Sequence, residues 1–181
     1  MPDINTKTFV FDNHADGLYP LVTDMIAYIH QHAQVSEATT QRLKVTMIEL
    51  LTNALKHASQ SATAIKVELT EDKVSIQKKD TGNGLAIFCH QNFMEWPLPG
   101  VHHTGKVITI YSNGDATLKA NLKDNCTLQF FIEETENTDP VDINTLAEHF
   151  GLMIITRACN TFTYYFDVDT CSNNFIISIS L

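Results

Sequence analysis

The chain has 181 residues, 44% of them hydrophobic, and a formal net charge of −9. That length suits one domain, spanning 1–181, with a real core. The acidic balance argues against direct binding of nucleic acid, but it leaves room for a small anion held by a local cationic patch.

Residues 6–11 are rich in β-branched and aromatic side chains and predict a first strand. Over 18–33, Leu21, Val22, Met25, Ile26 and Ile29 recur at helical spacing. Ser36-Glu37-Ala38-Thr39 is a fresh helix start, and a long helix is predicted over 37–58. Leu43, Met47, Leu50, Leu51, Ala54, Leu55 and Ala58 form its apolar stripe. Glu49 and Asn53 are four residues apart, and Lys56 and His57 follow one turn later on the polar side. A carboxylate, a neutral oxygen ligand and a cation on one face could hold a hydrated Mg²⁺ and a polyphosphate. For the helix by itself, a solvated polar face with an ordinary charge pair is the favoured reading.

Two alternating runs, 64–69 and 73–79, flank a polar turn and predict a hairpin. The second ends in Asp80-Thr81-Gly82-Asn83-Gly84-Leu85. A carboxylate followed by glycines at alternate positions lets backbone approach a flat ligand while the Asp accepts a hydrogen bond. Asp-x-Gly-x-Gly is weak by itself. Its order after Glu49-x-x-x-Asn53-x-x-Lys56-His57, across one hairpin, is more specific, and the pair resembles the N box and first glycine box of the GHKL ATPases. Strand, helix, long helix, hairpin is also the element order of the anti-sigma-factor serine kinases in that superfamily.

The rest of the chain departs from this pattern. Residues 85–93 have the composition of a short helix, and Pro97 and Pro99 break the segment that follows. Residues 88–138 then form an insertion where the family has a short lid. Three strands are predicted in it, at 106–112, 115–121 and 126–133, with Asn113-Gly114 as the first turn. Their apolar surface must pack on the main domain, extend its sheet or face a partner. Asp139-Pro140 predicts a helix start, with a helix to Ala158 that breaks at Gly151. Residues 161–167 and 175–181 predict the closing strands. Gly151 falls where the resemblance places a second glycine box, whose glycines let N–H groups at a helix start wrap phosphates. The bland reading of Gly151 is tight packing of that helix.

Other motifs carry less. Gly100 to Lys106 imitates part of a P-loop, but Val107 stands where a hydroxyl should bind Mg²⁺, and the segment precedes a strand. His102-His103 has no ligand-set spacing. Cys89, Cys126, Cys159 and Cys171 form no CxxC pair. The first residues lack the basic and apolar runs of a signal peptide, and no run is long enough to cross a bilayer, so the expectation is a cytoplasmic protein with no membrane contact.

The resemblance implies a GHKL (Bergerat-type) α/β two-layer sandwich, with helices on one face of a mixed, mostly antiparallel sheet and a β-meander inserted. It implies ATP and Mg²⁺ as cofactors. Glu49 would be the catalytic base, and Asn53 would ligate Mg²⁺. Lys56 or His57 would neutralise phosphate. Asp80 would accept from the adenine amino group, with Gly82, Gly84 and Gly151 shaping the nucleotide loops. Two functions follow. One is an ATP-dependent serine/threonine kinase that phosphorylates a small regulatory protein, with a sigma factor or an anti-anti-sigma-like regulator as its protein partner and room for a homodimer. The other is a non-catalytic GHKL-like module that regulates a partner by contact.

Overall fold

Residues 4–57, 62–89, 92–100, 104–112, 115–134 and 143–181 are described by a computed structural model, apart from the side chains of Cys89, Asn92 and 143–149. Strand β1 (Asn5–Phe11) leads into helices α1 (Ala15–His32) and α2 (Glu37–His57). Helix α1 buries Leu18, Val22, Met25 and Ile29, a stripe at three- and four-residue spacing. Helix α2 opens on a Ser36 cap, whose Oγ accepts from the Thr39 N–H at 3.1 Å. It buries Leu43, Met47, Leu50, Leu51 and Ala54.

Strands β2 (Thr63–Leu69) and β3 (Lys73–Thr81) form the predicted hairpin. Next come β4 (Ala86–Cys89) and β5 (Asn92–Glu95), a separate two-stranded hairpin. The helix expected over 85–93 is therefore absent. Ile87 is buried and Phe88 exposed, which is strand alternation, and the Trp96 N–H donates to the Leu85 carbonyl at 2.9 Å to close the base of the hairpin. A run this short carries no decisive period.

A three-stranded meander follows as β6 (Val107–Ser112), β7 (Ala116–Leu122) and β8 (Thr127–Glu134). Helix α3 (Ile143–Ala158), β9 (Thr161–Asp167) and β10 (Ser172–Ser180) complete the chain. The expected Asn113-Gly114 turn, the Asp139-Pro140 helix start and the His102-His103 pair lie outside the described residues. Helix α3 runs through Gly151 without the expected break.

The fold is α+β: three helices, among the described residues, and an eight-stranded sheet in the order β1-β2-β3-β10-β9-β8-β7-β6. Its pairings are all antiparallel rather than mixed. Strand β10 returns between β3 and β9 and opposes both, so no parallel neighbours arise. The meander continues the sheet outward from β9, with Phe130 opposite Phe162 and the two rings stacked at 4.5 Å. Helix α3 packs on α2, β6, β8 and β9, and so ties the meander to the rest. The surplus apolar surface of the meander goes into this joint.

One cross-strand row shows how the core is built. Phe9, Ile65, Lys78, Phe175, Tyr164, Leu128 and Leu122 stand in register across seven strands. All are buried. Each fully buried aliphatic or aromatic side chain here stabilises by about 1.5–3 kcal/mol. Lys78 is the exception in the row, and it lies beside the cleft described next. Among the described residues, no helix is long and apolar enough to cross a membrane.

Candidate functional site

A cleft of about 790 Å³ opens between the last turn of α2, strands β3 and β10, and the β4–β5 hairpin. Its size is that of a small-molecule site. Helix α2 contributes Asn53, Lys56 and His57. These two basic side chains fall at the helix C-terminus, where the backbone dipole favours positive charge. The floor is Lys78, Asp80, Asn173 and Phe175. The far wall is the loop through Asn83 and Gly84 and the hairpin side chains Phe88, Phe93 and Glu95, with Leu152 of α3 closing the side.

The floor is held by a continuous polar network. The Leu85 N–H donates to the Tyr164 hydroxyl at 2.9 Å, and that hydroxyl donates to Asn173 Oδ1 at 2.8 Å. Asn173 Nδ2 in turn donates to Asp80 Oδ1 and to the Asn83 carbonyl, each at 3.0 Å. Lys78 Nζ completes the chain at 2.5 Å from Asp80 Oδ2. It also stands over the Phe175 ring, 4.5 Å from the centroid. Two hydrogen-bonded partners and a fixed scaffold leave Asp80 little freedom to rotate. Burial pushes the Lys78 ammonium below its ordinary range, against the opposing pull of the Asp80 carboxylate. Burial likewise pushes the Tyr164 hydroxyl up, keeping it a neutral donor.

The site residues expected from sequence separate into two groups. Asn53, Lys56, His57, Asp80 and Gly84 meet at the cleft, whereas Glu49, Gly82 and Gly151 lie outside its lining. Gly82 is half-buried in the bend after β3. Gly151 is more than two turns into α3, so its N–H lies inside the helix and not at the helix start. A Cβ there would come within 2.8 Å of Glu49 Oε2 and 3.7 Å of Asn53 Oδ1. The glycine lets α3 press on the polar face of α2. Gly84 has a similar need: a Cβ would sit 1.5 Å from the Trp96 carbonyl oxygen, so the hairpin base already fills the space beside it.

Sequence reasoning missed Lys78, Asn173, Phe175 and the Phe88–Phe93 pair. Lys78 had a signal. Val74 and Ile76 point inward along β3, and period two puts residue 78 on the same face. Asn173 had none, because residues 169–174 read as a turn.

No protein-family model matches the chain, and a search of the curated proteins returns no significant match.

Proposed function

We propose that this chain is a GHKL-like module that binds a purine nucleotide in the cleft and regulates a partner protein by contact. One observation carries the reading. The cleft joins a buried, hydrogen-bonded carboxylate, Asp80, to a basic end at Lys56 and His57, while the Glu49 carboxylate lies against Gly151 and outside the lining. Phosphoryl transfer depends on positioning and charge neutralisation around the attacking group. A half-buried carboxylate close against a neighbouring helix is poorly placed for that work.

Asp80 would receive the base and Lys56 with His57 would face the phosphates. No cluster of three His, Cys, Asp or Glu side chains forms among the described residues. Mg²⁺ would therefore arrive with the phosphates and take Asn53 as its protein ligand. The test is calorimetric titration with ADP and ATP, with and without Mg²⁺, followed by a phosphate-release assay. Binding without turnover is expected. No heat and no thermal shift at millimolar nucleotide would end the proposal.

The kinase reading keeps one supporting observation: Asn53 lines the cleft and Glu49 stands one turn before it on the same helix. Turnover lost in Glu49→Ala, with nucleotide binding kept, would restore that reading.

A further inference from the structure

The β4–β5 hairpin is apolar on both faces. Ile87 and its cross-strand partner Met94 turn inward: Ile87 is buried, and Met94 packs against the core. Alternation sends Ala86, Phe88, Phe93 and Glu95 to the other face, and all four line the cleft. A solvated hairpin face would carry polar side chains. Here Phe88 stands directly opposite Phe93, and the two residues are 48% and 65% exposed. A lone exposed ring is ordinary on a protein surface. Two paired rings on the wall of a cleft, turned away from the core, are not explained by packing.

The wall is also fixed relative to the floor. At the foot of β4 the Leu85 N–H donates to the Tyr164 hydroxyl, which donates to Asn173, and Asn173 donates to Asp80. One hydrogen-bonded chain therefore joins the hairpin to the floor carboxylate. A flat heterocycle whose edge meets Asp80 must present its faces to the walls, and the hairpin is one of them. Glu95 on the same wall repels phosphate. The phosphates then lie away from it, toward Lys56 and His57 on α2, and the base lies against the rings.

We infer that Phe88 and Phe93 are the base-stacking residues of the cleft, and that the hairpin selects the ligand by the area of its base, favouring the two-ring face of a purine over the single ring of a pyrimidine. This rests on the nucleotide-binding reading above. Hydrogen bonds at the base edge replace bonds to water and gain little net. A base face laid on an aromatic ring removes apolar surface of both from water. Every base has such a face, so the contact follows ring area and not the edge substituents. Adenine and guanine should therefore bind alike, and uracil more weakly than either.

The test is calorimetry of the full chain with ADP, GDP and UDP. Both rings are exposed, so alanine at either position leaves no buried cavity. Phe88→Ala and Phe93→Ala should each weaken ADP and GDP by at least about fivefold, the low end for loss of a base–aromatic stack, and UDP by less. Phe93→Trp keeps an aromatic face and should bind ADP at least as tightly as the wild type. Phe131→Ala, at an exposed ring outside the cleft lining, should change nothing. Unchanged ADP affinity in both alanine variants overturns the inference, leaves the nucleotide reading standing and assigns the rings to contact with the partner protein. UDP binding the wild type as tightly as ADP overturns it too. So does a loss in Phe93→Trp as large as in Phe93→Ala, which would make the hairpin a purely structural wall. Failure of all three nucleotides to bind the wild type overturns the nucleotide reading, and this inference with it.

Discussion

Two regions of the sheet, β3 beside the cleft and the β7–β8 meander, each carry a lysine–carboxylate pair, and the pairs do opposite things. At the cleft, Lys78 and Asp80 are 2% and 5% exposed at the side chain. In the meander, Lys119 and Glu133 are 23% and 50% exposed. Taking charges out of water costs several kcal/mol per ion, and the attraction between them repays this only with good geometry and further hydrogen bonds. The buried pair has those bonds, through Asn173 and its network. The outer pair keeps much of its hydration and loses little if broken. A costly pair retained beside a cleft points to function, whereas a cheap pair on a wet surface points to solubility and register.

The comparison breaks most sharply at Asp80. Asp80→Ala would leave the Lys78 ammonium buried without its carboxylate, and the expected loss of stability is about 3–5 kcal/mol. Urea unfolding measures it. A loss under about 1 kcal/mol would mean that water reaches Lys78 freely. Next in size is Gly84→Ala. The new methyl group would overlap the Trp96 carbonyl, which is backbone and cannot swing aside. We expect a loss of about 1–3 kcal/mol, with the β4–β5 hairpin displaced and ligand affinity reduced. Unchanged affinity would separate that hairpin from the site.

The pH dependence sharpens the same contrast. The folded Lys78 sits below its unfolded value of 10.5. Between the two values the unfolded chain holds a proton that the folded chain has lost, so stability rises with pH there and is lost as pH falls back through the folded value. Tyr164 acts the other way, because its folded value is raised above 10.0 and stability falls once the unfolded phenol ionises. The clean window therefore runs from the folded Lys78 value up to the point just below 10.0 where the unfolded Tyr164 phenol begins to ionise. In that window the wild type should gain stability relative to Lys78→Met. Parallel curves would show that burial does not penalise the Lys78 charge.

How much of this was legible in the sequence depends on period and on distance along the chain. Helix α2, the β2–β3 hairpin and the meander were legible because their apolar spacing is long and regular. The β4–β5 hairpin was not, since a short apolar run fits helix and strand alike. The unbroken α3 was missed because a glycine inside a helix costs about 1 kcal/mol and reads as a stop. Here the close approach of Glu49 and Asn53 requires it. At the site, the local motif residues Asn53, Lys56, His57 and Asp80 were legible. Asn173 was not, because it reaches Asp80 from a strand far along the chain. Lys78 was legible by alternation, but its meaning depends on Phe175 across the sheet.

The smallest expected effect lies at the outer end of the sheet. Lys119 and Glu133 belong to neighbouring strands, β7 and β8, and their charged atoms meet in a hydrogen-bonded pair. Exposed pairs of this kind contribute about 0.2–1 kcal/mol, because water competes for both charges and two long side chains must be held still. Glu133→Gln should therefore lower stability by no more than that, and the loss should shrink further in high salt. The backbone around it should behave differently. Strands β7 and β8 are joined along their length, and Leu118, Ala120 and Leu128 on their inner face are buried. Hydrogen exchange over Ala116–Leu122 and Thr127–Glu134 should be slow in the wild type and in Glu133→Gln, with or without nucleotide. Slow exchange in all four states would show that packing on α3 and β9, and not the surface charge, holds the insertion. Fast exchange without nucleotide and protection with it would make the meander a mobile lid, and the meander and the cleft would then act as one site.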